Sequence, residues 1–192
     1  MRRDDSAFPL PIPTQVLRDR ISELVRRANR RRLLASLICT AALTLAIFGG
    51  FFGVARVSGN SMRPSFQNKD LILFIRMGGC GRYDVVALKT DGVKGSGLVK
   101  RIIGLPGDTV DIDKDGRVSI NGVILEEPYA IGMTRKNSEM QYPVALGKDE
   151  YFVLGDNRQD SMDSRGFGTI TGKQITGKIM AVLRIGKESE RW

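Results

Sequence analysis

Two residues of this chain have the type and the setting for nucleophilic catalysis. Ser61 lies in Val57-Ser58-Gly59-Asn60-Ser61-Met62-Arg63-Pro64-Ser65, where Gly, Asn and Pro shape a turn around a small hydroxyl side chain. A serine nucleophile needs a base to take its proton, and the chain contains no histidine. A lysine can serve if its amine is neutral near working pH, which requires a buried, apolar site. Lys100 stands in Gly97-Leu98-Val99-Lys100-Arg101-Ile102-Ile103. Strand alternation would put Leu98, Lys100 and Ile102 on one face and Val99, Arg101 and Ile103 on the other. Most strand lysines face solvent, so this pattern alone leaves an ordinary surface lysine open.

A third polar block, Gly155-Asp156-Asn157-Arg158-Gln159-Asp160-Ser161-Met162-Asp163-Ser164-Arg165, follows an apolar stretch. It reads as a loop held by Asp–Arg pairs and Asx turns, or as a rigid scaffold beside a Ser-Lys pair. Metal chemistry of the common His/Cys kind is disfavoured, because histidine and a C-x-x-C pair are both missing. Cys39 lies in an apolar run and Cys80 in a later loop, so no disulfide is expected between them. Asp111 to Gly122 opens like a calcium loop, but its twelfth position is Gly122 rather than a bidentate Glu. It reads as a solvated hairpin, and no metal or cofactor is implied.

The elements that must position these residues fall into three parts: a basic tail (1–32), an apolar anchor (33–55) and a β-rich domain (56–192). Leu33 to Ala55 carries no charge. As a helix at about 1.5 Å per residue it would cover a hydrocarbon core of roughly 30 Å. It is too long for the usual ~7–15-residue core of a cleaved signal. Residues 1–32 hold nine arginines against four acidic residues. The positive-inside rule therefore puts the tail in the cytoplasm and the chain after Ala55 outside. The tail carries much of the net charge of +9, and no basic-aromatic interleaving suggests nucleic acid. Within the tail, Pro9, Pro11 and Pro13 predict an extended stretch. Val16, Leu17, Ile21, Leu24 and Val25 then predict a short helix, with Thr14 as candidate cap, that lies on the membrane surface or feeds the span.

The rest predicts β structure. Short runs rich in β-branched and aromatic residues span 71–75, 84–89, 98–103, 109–113, 117–120, 123–125, 150–154 and 178–185. Asp115-Gly116 and Asn121-Gly122 mark hairpins. The expected fold is an all-β, mainly antiparallel catalytic domain of coiled sheets or a partly closed barrel, behind one N-terminal transmembrane helix.

With these blocks in this order behind an anchor, the chain resembles the type I signal peptidases, membrane-bound serine proteases with a Ser-Lys dyad. Gly81 to Lys89 is similar to their structural strand segment, and the likeness covers most of 57–172. The resemblance implies Ser61 as nucleophile and Lys100 as general base. It implies Ser161 as the group orienting the amine, and Asp163 with Arg165 as an ion pair supporting the loop. Where many relatives carry a serine two positions before the nucleophile, this chain has Gly59. A backbone N–H there would be the second oxyanion donor beside that of Ser61. Val57, Met62, Leu98 and Val99 are candidate walls of the substrate pockets, with Val57 and Met62 equally readable as core. Departures at Tyr83, Gln159-Asp160 and Gly166 leave the dyad untouched.

The implied partners are exported precursors with signal peptides, and membrane lipid. The implied location is the bacterial cytoplasmic (inner) membrane, single-pass. Ser61 lies six residues beyond Ala55, within ~20 Å of the membrane edge at ~3.3 Å per residue. A precursor would bind extended along a strand edge near Val57–Gly59 or Leu98–Lys100. Two other readings remain: a Ser-Lys peptidase maturing a pilin or conjugation protein, and a non-catalytic anchored β domain. An intact serine, lysine and Ser161 argue against the second.

Overall fold

The computed structural model describes residues 14–89, 97–137 and 140–184. The expected extended stretch at 9–13 and the last residue of the expected final strand, Ile185, lie outside them. The chain divides into a helical unit that ends at Phe48 and a β unit that begins at Gly49.

The helical unit holds most of α1 (Thr14–Phe51), one continuous helix in which the helical stretch of the tail feeds the apolar run. No glycine or proline interrupts it before Gly49, and arginines are good helix formers, so the basic segment and the apolar one join. Its apolar side chains, Leu37, Ile38 and Leu45 among them, are exposed. The helix is long and apolar enough to cross a membrane. The apolar run does not stay helical to Ala55. Phe52–Arg56 form strand β1, which pairs antiparallel with β2 (Leu71–Ile75) from Phe52↔Ile75 to Arg56↔Leu71. The β2 ladder supplies backbone partners that a frayed helix end lacks, and this competition ends the helix at Phe51.

The β unit is all-β and mainly antiparallel. After β2 come β3 (Val85–Leu88), β4 (Leu98–Gly104), β5 (Thr109–Ile112), β6 (Val118–Ile120), β7 (Val123–Ile124), β8 (Val144–Ala145), β9 (Glu150–Leu154), β10 (Ile170–Thr171) and β11 (Ile175–Leu183), with a short helix α2 (Ser164–Phe167). Seven strands form a curled half-barrel in the order β1-β2-β11-β3-β4-β9-β10. A smaller sheet runs β7-β6-β5-β8. Its β6–β7 turn has Asn121 and Gly122 both at positive φ, 52° and 83°, the geometry of a tight two-residue hairpin. Asp113, within the calcium-loop-like stretch, is spent on a turn: its Oδ1 accepts the N–H groups of Asp115 and Arg117, both at 2.8 Å.

β4 has both faces covered. Ile102 packs with Val86, Leu88, Val153 and Ile170, while Ile103 packs with Val110, Ile112, Phe152 and Leu154. A third cluster joins Val57, Met62, Phe66 and Ile72, with Val99 half-buried against it. Ser61 precedes Met62 of this third cluster, and Lys100 stands in β4 between Val99 and Ile102.

Candidate active site

The serine loop, residues 57–70, joins β1 to β2 and is closed at its base. The Val57 N–H donates to Asp70 O at 2.8 Å and the Lys69 N–H to Val57 O at 2.9 Å. Asp70 turns inward and accepts the Gln67 N–H at 2.8 Å. Met62 and Phe66 plug the loop into the core, linked by a Phe66 N–H bond to Met62 O. This leaves Ser61 half-buried at the rim. Val57 and Met62, named above as pocket walls, are packed in that core, 5% and 1% exposed.

Lys100 comes from β4, opposite Val86 of β3, and is 2% exposed. Its Nζ donates to Ser61 Oγ at 2.7 Å. Burial pulls the amine down from its ordinary 10.5 to about 8; Asp163 and Asp156 pull it back up, Arg165 pushes it down, and Asp160 raises it. Desolvation wins because the ammonium loses its water shell, while Asp156 and Asp163 are paired with Arg101 and Arg165. The arrangement therefore brings a hydroxyl within proton-transfer distance of an amine that is about half neutral near pH 8 and mostly neutral above it.

The third block is the scaffold. Asp163, 1% exposed, accepts Arg165 Nε and a terminal guanidinium nitrogen, both at 2.8 Å, and also the Gly155 N–H at 3.0 Å. Arg165 reaches on to the Arg158 carbonyl at 2.8 Å. The block clasps the nucleophile directly: the Asn157 N–H donates to Ser61 O at 3.0 Å, and its side chain reaches Asn60 O at 3.3 Å. Gly155 has to be glycine, because a Cβ there would collide with Ser161 Oγ and with the Ser61 carbonyl oxygen.

Two expected contacts differ. Ser161 Oγ is buried without a hydrogen-bond partner; Lys100 Nζ turns to Ser61 instead, and the Ser161 hydroxyl packs over Gly155. The Gly59 N–H, the expected second oxyanion donor, is taken by Asn68 Oδ1 at 3.3 Å. Gly59 contributes its backbone shape, φ +90°, which a residue with a Cβ adopts only with strain.

Sequence reasoning missed two buried ion pairs. Asp156, fully buried, accepts Arg101 Nε at 2.8 Å and a terminal nitrogen at 2.6 Å. Ser65 Oγ donates to the same carboxylate at 2.5 Å, and Arg101 lies 4.1 Å from the Tyr129 ring centroid. The pair thus ties the serine loop to β4 and to the third block. Arg158 makes a forked pair with Glu127, at 2.8 and 2.7 Å, and bonds Gly155 O at 3.0 Å. Alternation had already separated Arg101 from Lys100, but nothing local marks Asp156, 55 residues away, as its partner.

Leu98 and Val99 line a cavity of about 270 Å³ with Ala55, Ser58 and Ala87. Beside it, the β9 ladder of β4 begins only at Arg101, so among the described residues Leu98–Lys100 pair on one side alone, with β3. Among the described residues there is no cluster of His, Cys, Asp and Glu able to hold a metal ion.

The family model for signal peptidase, peptidase S26, matches residues 30–184. Signal peptidase I S of Bacillus subtilis (strain 168) is 38% identical over 156 residues, covering 74% of this chain and 82% of that protein. Signal peptidase I of Bacillus amyloliquefaciens is 37% identical over 155 residues, 74% and 81% of the two chains. A crystal structure of a signal peptidase I from Enterococcus faecalis V583 matches 54% of this chain and 99% of its own, at 30% identity and a TM-score of 0.45.

Proposed function

This chain belongs to the signal peptidase family, peptidase S26, a family of serine peptidases, and from that premise we propose that it cleaves signal peptides from exported precursors with a Ser61–Lys100 dyad. The observation that carries the proposal is the 2.7 Å contact between Ser61 Oγ and a lysine amine that burial has lowered to about 8. Neutral Lys100 takes the Ser61 proton as Oγ attacks the scissile carbonyl. The tetrahedral oxyanion is held by the Ser61 N–H. Lys100 then gives the proton to the departing amine, leaving a Ser61 ester. Water, deprotonated by Lys100, hydrolyses that ester and restores the serine. Ser161, unpartnered next to the Ser61 carbonyl, is assigned to hold the amine once Oγ is acylated. Asp163 and Arg165 are assigned to hold the loop.

The precursor is proposed to lie extended beside Leu98–Lys100, pairing with the side of β4 that β9 leaves open. Small side chains before the cleaved bond would enter the cavity lined by Leu98, Val99 and Ser58. The helix α1 is proposed to anchor the enzyme. Leu33 to Phe51 is uncharged and spans about 28 Å at about 1.5 Å per residue. The nine arginines of residues 1–32 keep the tail in the cytoplasm and the β unit outside. Anchoring confines enzyme and precursor to one surface and raises their effective concentration.

The test is cleavage of several purified precursors by the full chain in detergent, with products mapped by mass spectrometry. Ser61→Ala and Lys100→Ala should each abolish cleavage with the fold intact. Near-normal activity in Ser61→Ala would overturn the nucleophile. Cleavage of one precursor alone would mean a specialised peptidase. Protease added to membrane vesicles of known sidedness should digest the β unit from the outer face; its protection there would refute the orientation.

A further inference from the structure

We propose that the mature part of the precursor leaves the site through a cationic cleft beside Ser161, and that this cleft favours acidic residues just after the cleaved bond. The inference rests on the signal-peptidase reading above and deepens it.

The cleft, about 690 Å³, is lined by Arg135, Lys136, Arg158, Gln159, Ser161 and Arg165 among others and, among the described residues, by no carboxylate. Its position follows from Ser161, which packs against Gly155 and the Ser61 carbonyl. The apolar cavity on the other side is reached from Ser58 and Leu98, which precede Ser61 and Lys100 by three and two residues. The two cavities share no lining residue. An extended chain whose residues before the scissile bond fill the apolar cavity crosses the dyad and continues toward Ser161.

The charges divide into two kinds. Arg158 and Arg165 are held by Glu127 and Asp163, so they fix the floor and are largely neutralised. Arg135 and Lys136 stand exposed on the rim. Lys136 meets Asp111 at 3.1 Å, with both side chains about two-fifths exposed, a pair that is weak in water and gives way to a closer anion. The rim thus offers exposed cations to a carboxylate side chain, and contacts on both flanks of the scissile bond would hold it over Ser61.

The test uses the full-length enzyme in neutral detergent and three precursors that differ only in the first two mature residues: Glu-Glu, Gln-Gln and Lys-Lys. The expected order of kcat/KM is Glu-Glu above Gln-Gln above Lys-Lys, by roughly three- to tenfold across the series at low salt, and collapsing at high salt. The double variant Arg135→Glu, Lys136→Glu should flatten or reverse the order while Gln-Gln cleavage stays within about twofold, which also reports that the variant is folded. Equal kcat/KM for all three, or an order unchanged in the variant, overturns the cleft assignment and leaves the peptidase reading standing. So does an equal response of all three to anionic lipid, which would make lipid the occupant. Failure to cleave any of the three overturns both.

Discussion

Replacing Lys100 by methionine should abolish cleavage and make the protein more stable at neutral pH. The buried amine sits at about 8 in the folded chain against 10.5 for an ordinary lysine. Below pH 8 both folded and unfolded states carry the proton, and the folded state bears the full cost of a desolvated ammonium. The gap between 10.5 and about 8, at about 1.4 kcal/mol per pH unit, makes that cost about 3 kcal/mol. Between pH 8 and 10.5 the unfolded state binds more proton, so the parent gains stability as pH rises, and above 10.5 the cost is gone. Methionine fills similar space without a charge but loses the contact to Ser61 Oγ, worth about 1 kcal/mol. The variant should therefore be about 2 kcal/mol more stable at pH 7, with the advantage vanishing by about pH 10. Denaturant unfolding of the full chain in detergent at pH 7, 8.5 and 10 reads this difference. A methionine variant less stable than the parent at pH 7, or a difference that does not change with pH, would refute the reasoning. Lys100 would then be a charged and compensated group, and the serine would need another base.

The same amine governs catalysis. The logarithm of kcat/KM should rise with unit slope to a bend near pH 8, falling about tenfold per pH unit below it; stopped assays from pH 6 to 10 measure it, and a flat profile across that range would exclude Lys100 as the base. Gly155→Ala should lose most activity and about 1–3 kcal/mol of stability, because the new methyl meets Ser161 Oγ and the Ser61 carbonyl. Wild-type melting and turnover in that variant would show that the third block does not clamp the nucleophile.

Much of this molecule was legible in its sequence, for local reasons. Short apolar runs such as Leu71-Ile72-Leu73-Phe74-Ile75, bounded by turn residues, become strands because β-branched and aromatic side chains suit a half-buried pleat. Asn121-Gly122 becomes a hairpin because both residues tolerate positive φ. The missing histidine beside a turn-borne serine already demanded an unusual base, and Lys100 was the lysine flanked by enough apolar residues to be one. The two-residue strands β8 and β10 carry too few residues for any period to show. β1 was hidden inside an apolar run whose composition suits a helix equally well, and only pairing with β2 decides it.

The tertiary structure decided what depends on residues distant in the chain. Ser61 and Lys100 are 39 residues apart, and β1 and β4 are separated in the sheet by β2, β11 and β3. They meet because the sheet curls and the Met62–Phe66 plug seats the serine loop near Val99. The depth of Lys100, and hence the lowered pKa of its amine, is a property of that packing, since a strand pattern cannot say whether a face meets water or another layer. The partners of Asp156 and Arg158, the capture of the Gly59 N–H by Asn68, and the Ser161 hydroxyl left unpartnered beside Gly155 follow for the same reason. Charges and hydroxyls state what each residue can bond, but which groups come within 3 Å is settled only when the layers close.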